Sequence, residues 1–334
     1  MPNIDYLKIF RDAWKITWKN RFLWWFGFFM LASGGLNYNY FSSGDEKPQK
    51  DWQAFTEKIN LQQFLLEHTT FIAIGITLLV ILFLVFLILN FIGRGALIKS
   101  IQRILKKEPA SFKSGFQDGK KYFWSIFSIF FFSGLFIFIC FIVLFTPIVI
   151  LFLAKSYIIG TILAILALAI IIPLVILAKY IQSYAGYYVV LANLRPWLAI
   201  ENAYALFRKN ILTSIIMSLL FIPIGIFSIF IVVAIALVTL LIFGLIGLVL
   251  FFTIKDTGVI IAVALGLLFF IPAITLFYSI FSAFSEVAWV LFFHVIATPK
   301  EKEKVAEKLL ETKEKVSVLA NTDAMKTIEA ENKE

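Results

Sequence analysis

Two charged side chains stand inside or directly beside long apolar runs of this 334-residue chain. Glu286 lies within the apolar run 258–297, and Arg94 follows the apolar run 69–92. A charged group in such a stretch is rare, is usually paired, and is the default sign of a functional site in a membrane protein. The sequence therefore predicts that Arg94 and Glu286 meet as an intramembrane ion pair near the cytoplasmic face. In the alternative, each side chain extends separately to the lipid headgroups.

Other polar side chains near these two predict a candidate cleft. His294 lies eight residues after Glu286, on the same face of a helix. It is either part of a proton relay or an ordinary interfacial histidine. A run of tyrosines with Gln182 either lines a polar cleft or forms an aromatic belt and packing. The candidate cleft comprises Tyr184, Tyr187, Tyr188 and His294, with Tyr180 as a further neighbour.

No motif in the sequence predicts catalysis, a metal site or a cofactor. The two histidines, His68 and His294, are far apart, and the single cysteine, Cys140, lies in an apolar run. Glycine-rich phosphate loops and the HExxH and GxSxG motifs do not occur. We therefore expect no catalytic, cofactor-binding or metal-binding residues, and a protein that is not an enzyme.

The elements that must position these side chains are membrane spans. Hydrophobic residues make up 61% of the chain, more than the interior of a soluble domain can hold. The predicted fold is an all-α transmembrane helical bundle over residues 1–299, followed by a charged tail at 300–334. The apolar runs predict six spans, near 22–41, 69–92, 123–153, 157–178, 211–252 and 258–297. The loop 42–68 spaces aromatic and aliphatic residues at a helical interval, which predicts an interfacial helix there.

The distribution of positive charge predicts the orientation of the spans. Seventeen Lys/Arg lie in the segments 1–21, 93–122 and 179–210, whereas five lie in the segment 42–68 and at positions 155 and 255. By the positive-inside rule, this places both termini in the cytoplasm. We read the net charge of +9 as a consequence of this bias and not as a nucleic-acid surface. A seventh crossing within 211–252 is the main alternative to one long helix kinked at Pro223.

A basic amphipathic segment that runs into an apolar one occurs three times, at 7–29, 111–132 and 196–220. Asp5 and Ser111 are predicted N-caps, and Pro196 a first-turn proline. The small residue at positions 13, 119 and 203 would allow close packing against another helix. We predict three tandem repeats, each an elbow helix followed by a two-span hairpin, related as parallel repeats. In the alternatives, the segments share only composition, or each is a cytoplasmic extension of its span.

The elbow FRDAWKITWKNRFLWWFGFF and the later IENAYALFRKN resemble six-span prokaryotic proteins called the glycerophosphoryl diester phosphodiesterase membrane domain. The layout is also similar to that of the YciC-like group of inner-membrane proteins. The resemblance covers about residues 5–299. It implies a membrane bundle without the soluble metal-binding barrel that carries hydrolysis in the namesake enzymes, so it adds no catalytic residue.

The sequence favours a non-enzymatic protein of the prokaryotic plasma membrane, a scaffold or regulator. Its expected partners are the lipid bilayer and either a membrane protein or a lipid ligand, and not nucleic acid. The alternative is a small transporter or lipid-handling protein that uses a polar cleft around Arg94 and Glu286. A membrane-embedded enzyme is the third and weakest reading, since it would require a nucleophile with its base or clustered acids.

Overall fold

The computed structural model describes residues 4–31 and 69–297, and every regular element in these two ranges is an α-helix. The helices are α1 (Tyr6–Lys19), α2 (Leu23–Leu31), α3 (Thr69–Leu105), α4 (Phe112–Leu153), α5 (Tyr157–Ala192), α6 (Pro196–Lys209), α7 (Ile211–Ile254) and α8 (Asp256–Ile296). The predicted loop 42–68 with its interfacial helix, the tail 300–334 and part of the first predicted span lie outside the described residues.

Five of the described helices, α3, α4, α5, α7 and α8, are long and apolar enough to cross a membrane. The shortest of them has 36 residues and the longest 44, whereas one crossing needs ~20. These helices indicate a multi-pass membrane protein of all-α class, as predicted. The described part of the first predicted span is α2, which has nine residues.

The helix α7 is continuous across Pro223, from Ile211 to Ile254. Its length and the proline inside it match the long helix predicted for 211–252. The loss of one backbone hydrogen bond at a proline is tolerated in such a helix, because neighbouring groups satisfy the freed carbonyl.

Single residues in the left-handed conformation reverse the chain between the long helices. Lys107, Lys155 and Lys255 have φ of 58°, 57° and 50° and follow α3, α4 and α7. After α4, the Ser156 N–H donates to the Leu151 carbonyl at 2.9 Å, the bond pattern of a Schellman cap. The chain thus turns at the short breaks, 155–156 and 255–256, that separate the predicted spans.

Two of the three predicted elbows are separate helices, and the third is not. Asn20 and Asn210 end α1 and α6, where their side-chain amides donate to the Ile16 and Leu206 carbonyls at 2.8 and 3.0 Å. In the second copy the matching position is Ile126, which offers no such cap, and α4 runs unbroken from Phe112. The second copy is therefore a continuous extension of its span, as in the alternative. The first and third copies are separate elbow helices.

The predicted helix starts and small residues have clear structural roles. The Lys8 N–H donates to Asp5 Oδ1 at 2.9 Å, which confirms Asp5 as the N-cap of α1. The small residues Ala13, Gly119 and Ala203 are all buried. On α1 the buried face also includes Ile9 and Thr17, while Lys8, Lys15 and the aromatic Trp14 are exposed. This distribution suits a helix in the headgroup layer.

Contacts divide the described chain into two compact units. The first unit comprises residues 4–13, 124–226 and 287–297, and the second comprises 14–31, 69–123 and 227–286.

The second unit is built on close helix approach at glycines. A Cβ added at Gly27 of α2 would collide with the Ser279 carbonyl oxygen of α8, and one at Gly119 of α4 with the Ile92 carbonyl oxygen of α3. The Asn90 amide of α3 also donates to the Met30 carbonyl of α2 at 2.6 Å. Glycine is the residue that allows such backbone contact between helices in a bilayer, where the hydrophobic effect contributes little.

The first unit packs aromatic side chains between α5, α6, α7 and the end of α8. The Tyr180 ring stacks on Phe207 with centroids 4.8 Å apart, and the Phe221 ring stacks on Trp289 at 5.8 Å. Phe10 of α1 meets Phe221 edge-on at 5.2 Å. Such ring pairs add to the stability of a packed core beyond the area that they bury.

Candidate functional site

Arg94 and Glu286 face each other in the second unit, from α3 and α8. Arg94 Nε lies 3.9 Å from Glu286 Oε1, and the two side chains are 16% and 9% exposed. Gly93 and Gly95 flank Arg94 and are buried, and α2 packs closely against α3 at Gly93. The structure thus brings together the two charged residues that the sequence singles out.

The geometry of this ion pair is looser than a hydrogen bond. The distance of 3.9 Å between Arg94 Nε and Glu286 Oε1 exceeds the 2.7–3.2 Å typical of an N–H···O bond. Attraction between the opposite charges still operates at this distance, because the side chains are largely shielded from solvent. Chemically, the pair balances two charges that would each be costly to bury alone.

A second ion pair joins α3 to α4 at the turn between them. Arg103 Nη2 lies 2.8 Å from Asp118 Oδ2, with side chains 27% and 17% exposed. One turn earlier on α3, Lys99 Nζ donates to Gln102 Oε1 at 2.8 Å. The segment 93–122 contains eight Lys/Arg and two acidic residues, so this turn carries a large excess of positive charge.

The predicted tyrosine cluster lies in the first unit and is packed. Tyr184, Tyr187 and Tyr188 are 0%, 1% and 4% exposed. Their rings surround Phe293, with centroids 6.2, 5.3 and 5.0 Å from it. The structure therefore brings these three tyrosines together, in the arrangement that the packing alternative describes.

Two tyrosine hydroxyls tie α5 to α7. The Tyr184 hydroxyl lies 2.8 Å from Ser214 Oγ, and the Tyr180 hydroxyl 2.5 Å from Ser218 Oγ. Ser214 Oγ also donates to the Asn210 carbonyl at 2.8 Å. Because the Ser214 hydrogen is engaged there, the Tyr184 O–H is the donor to Ser214. Each hydroxyl buried in this apolar setting thus has a partner, as burial requires.

His294 lies in the last turn of α8, in the first unit. Its Nδ1 is 2.9 Å from the Val290 carbonyl oxygen, and a carbonyl can only accept a hydrogen bond. Nδ1 therefore carries the proton in this contact, which fixes the imidazole against its own helix. Glu286, the residue with which His294 was considered as a proton relay, belongs to the second unit.

Tyr6 of α1 lies outside the membrane-spanning helices and contacts Phe292 in the first unit. The two rings are stacked with centroids 6.4 Å apart. Burial raises the pKa of the Tyr6 phenol above its usual value, which further favours the neutral form that a phenol already has at physiological pH.

The sequence reading missed Ser214, Ser218, Arg103 and Asp118 as contact residues. A signal for the serines was present, because Ser214 and Ser218 are four residues apart, the same spacing as Tyr180 and Tyr184. Residues four apart lie on one face of a helix, so two such pairs can bond side by side. Within residues 4–31 and 69–297, no group of three or more His, Cys, Asp or Glu could hold a metal ion.

Comparison with known proteins assigns no family to this chain. No protein-family model matches the chain, and no curated protein and no solved structure is significantly similar to it.

Proposed function

We propose that this chain is a non-enzymatic scaffold or regulator in the plasma membrane of a prokaryote. The carrying observation is that polar side chains on its long apolar helices contact one another. Arg94 faces Glu286 in the second unit, and Tyr184 bonds to Ser214 in the first. Contacts of this kind fix helices in position, which is what a scaffold requires of its intramembrane polar groups.

The apolar surface of the long helices is the part that would meet lipid or a partner protein. In the most apolar window of each of the five long helices, between 0% and 17% of the residues are buried. Lipid tails or the helices of a membrane protein are the chemistry that fits such a surface. We propose these as its partners, without nucleic acid or a cofactor.

We further propose six spans in three tandem repeats, with both termini in the cytoplasm. The five long helices and α2, the described part of the first span, supply the elements. The asparagine-capped elbows α1 and α6 support a repeat, and the Lys/Arg bias supports the orientation. On this basis we propose membership of the glycerophosphoryl diester phosphodiesterase membrane-domain or YciC-like group.

A second candidate function is that of a small transporter or lipid-handling protein. One observation favours it: the buried Arg94–Glu286 pair is 3.9 Å long, so neither charge is held by a short bond between these two atoms. In this reading, a polar or anionic ligand would replace one partner of the pair during its passage.

Native mass spectrometry of the protein released from nanodiscs tests the two readings against each other. Wild type is compared with Arg94→Leu, Glu286→Leu and the double variant, and with Lys179→Gln as a control that removes an exposed charge. The scaffold reading expects the same retained lipids in every variant that folds, because the pair holds helices and not a ligand.

The transport reading expects a different pattern. A lipid retained by wild type and by Lys179→Gln, but lost from the Arg94 and Glu286 variants, would contradict the scaffold reading. The double variant keeps the test informative if the single changes prevent folding, because it leaves no unpaired charge.

A further inference from the structure

We propose that the turn between α3 and α4 binds the phosphate headgroup of an anionic phospholipid. The cations that would hold it are Lys99, Arg103, Lys106 and Lys121, which we call the α3–α4 basic patch. All four belong to the second unit, and Lys106 and Lys121 are exposed. The proposal adds a ligand to the scaffold function and does not depend on the Arg94–Glu286 pair.

The charges of the patch lie close enough to act on one another. Lys99 interacts electrostatically with Arg103, Lys106 and Lys121, and with one carboxylate, Asp118. That carboxylate is held by Arg103 at 2.8 Å. Segment 93–122 has eight Lys/Arg against Asp118 and Glu108, so positive charge stays in excess and a phosphate group would supply a counter-charge.

The patch lies along α3 just beyond the headgroup layer, within reach of the lipid phosphates. Lys99 lies seven residues beyond Ile92, where the apolar run 69–92 ends. Seven residues of helix span roughly 10 Å at about 1.5 Å per residue. The headgroup layer on each side of a bilayer is about 5–8 Å thick. The long side chains of Lys99 and Lys121 can therefore reach the lipid phosphates from this level.

Aromatic rings beside the patch support a lipid as the source of the phosphate. Phe112 stacks on Phe26 with centroids 5.2 Å apart, and Phe112 stacks in turn on Phe116 at 6.0 Å. Lys121 Nζ of the patch lies 5.7 Å from the centroid of the Tyr122 ring. Aromatic rings and cations are both typical of the membrane interface. There the cations bind a lipid headgroup and the rings contact the upper part of its acyl chains.

A charge-matched pair of triple variants tests the proposal. The patch variant is Lys99→Gln, Lys106→Gln and Lys121→Gln. The control, Lys107→Gln, Lys113→Gln and Lys120→Gln, removes the same charge from exposed positions of the same segment. Arg103 is kept, so that its ion pair with Asp118 still joins α3 to α4. Each protein is placed in nanodiscs of zwitterionic lipid with a small fraction of cardiolipin, and bound cardiolipin is measured by native mass spectrometry.

The patch variant should lose cardiolipin affinity by at least tenfold, because each lysine near a phosphate contributes roughly fivefold. The control should stay within about threefold of wild type. An equal loss in both variants would overturn the proposal, because it would show attraction by net charge alone. Displacement of cardiolipin by inorganic phosphate would overturn the assignment to a lipid.

Two further measurements complete the design. If the triple patch variant does not fold, Lys106→Gln alone replaces it, with Lys107→Gln as its control and a loss of roughly fivefold expected. Arg94→Leu combined with Glu286→Leu should leave cardiolipin binding unchanged, so a failure of the proposed function and a failure of the patch give different results.

Discussion

Arg103 Nη2 of α3 lies 2.8 Å from Asp118 Oδ2 of α4, and this ion pair spans the turn within segment 93–122, which contains eight Lys/Arg. Asp118 therefore has two roles: it ties the two helices together and it neutralises part of the α3–α4 basic patch. These roles predict opposite effects on stability and on lipid binding when its charge is removed.

Asp118→Asn should lower the free energy of unfolding by about 0.5–1 kcal/mol, since both partners are partly exposed. The same change should raise the affinity for cardiolipin by roughly fivefold, because one negative charge leaves the patch. Thermal unfolding in nanodiscs and native mass spectrometry measure the two effects. Glu201→Gln, at an exposed position of α6 in the first unit, is the control. Weaker cardiolipin binding by Asp118→Asn would contradict the account of the patch.

The close helix contacts at Gly27 and Gly119 should not tolerate a methyl group. An added Cβ would meet a carbonyl oxygen of the facing helix, so the helices would have to move apart. Gly27→Ala and Gly119→Ala should each cost about 1–3 kcal/mol of unfolding free energy. Gly134→Ala is the matched control, because a Cβ there has no heavy atom within 4 Å. An unchanged melting temperature for Gly27→Ala would show that α2 and α8 do not approach as described.

The Tyr184–Ser214 hydrogen bond should give a measurable coupling energy. Tyr184→Phe removes the donor and Ser214→Ala the acceptor of a bond that is 2.8 Å long. Intramembrane hydrogen bonds contribute about 0.6 kcal/mol on average and up to about 1.7 kcal/mol. We expect a double-mutant cycle on thermal unfolding to return a value in this range. Tyr204→Phe, on an exposed tyrosine, should be neutral. Additive single effects would mean that the hydroxyls do not interact.

The proposed orientation predicts which turns are accessible from each side of the membrane. In a Cys140→Ser background, Lys155→Cys and Lys255→Cys should react with an impermeant maleimide in intact cells. Lys107→Cys should react only after the membrane is opened. The three lysines are exposed and share the left-handed conformation, so differences in reactivity report the side of the membrane. Labelling of Lys107→Cys in intact cells would invert the proposed topology.

The features that the sequence predicted well are those governed by local chemistry. Apolar runs longer than a bilayer predict long helices, and Asp5, Lys155 and Lys255 act within a few residues of their own position. The continuity of α4 was not predicted, because it depends on the lack of an asparagine at position 126, a detail that the elbow pattern obscures.

Side-chain contacts between helices that are distant in the sequence were harder to predict than the helices themselves. Arg94 and Glu286 could be matched, because each is conspicuous in an apolar setting and their charges are opposite. The partners of Tyr180 and Tyr184 could not be assigned, because serine is common in spans. The four-residue spacing of Ser214 and Ser218 places them on one helix face but does not say which helix that face contacts. The three-dimensional register of α5 against α7 decides that choice, and only the structure supplies it.

The measurement that tests the central claim most directly is a double-mutant cycle on Arg94 and Glu286, read by thermal unfolding in nanodiscs. If the pair holds helices together, Arg94→Leu and Glu286→Leu should each destabilise the protein by about 3 kcal/mol, because each leaves a buried charge without its counter-charge. The double variant should recover most of that loss. A single variant more stable than wild type would contradict the account, since that is the behaviour of a site in which stability is sacrificed for function.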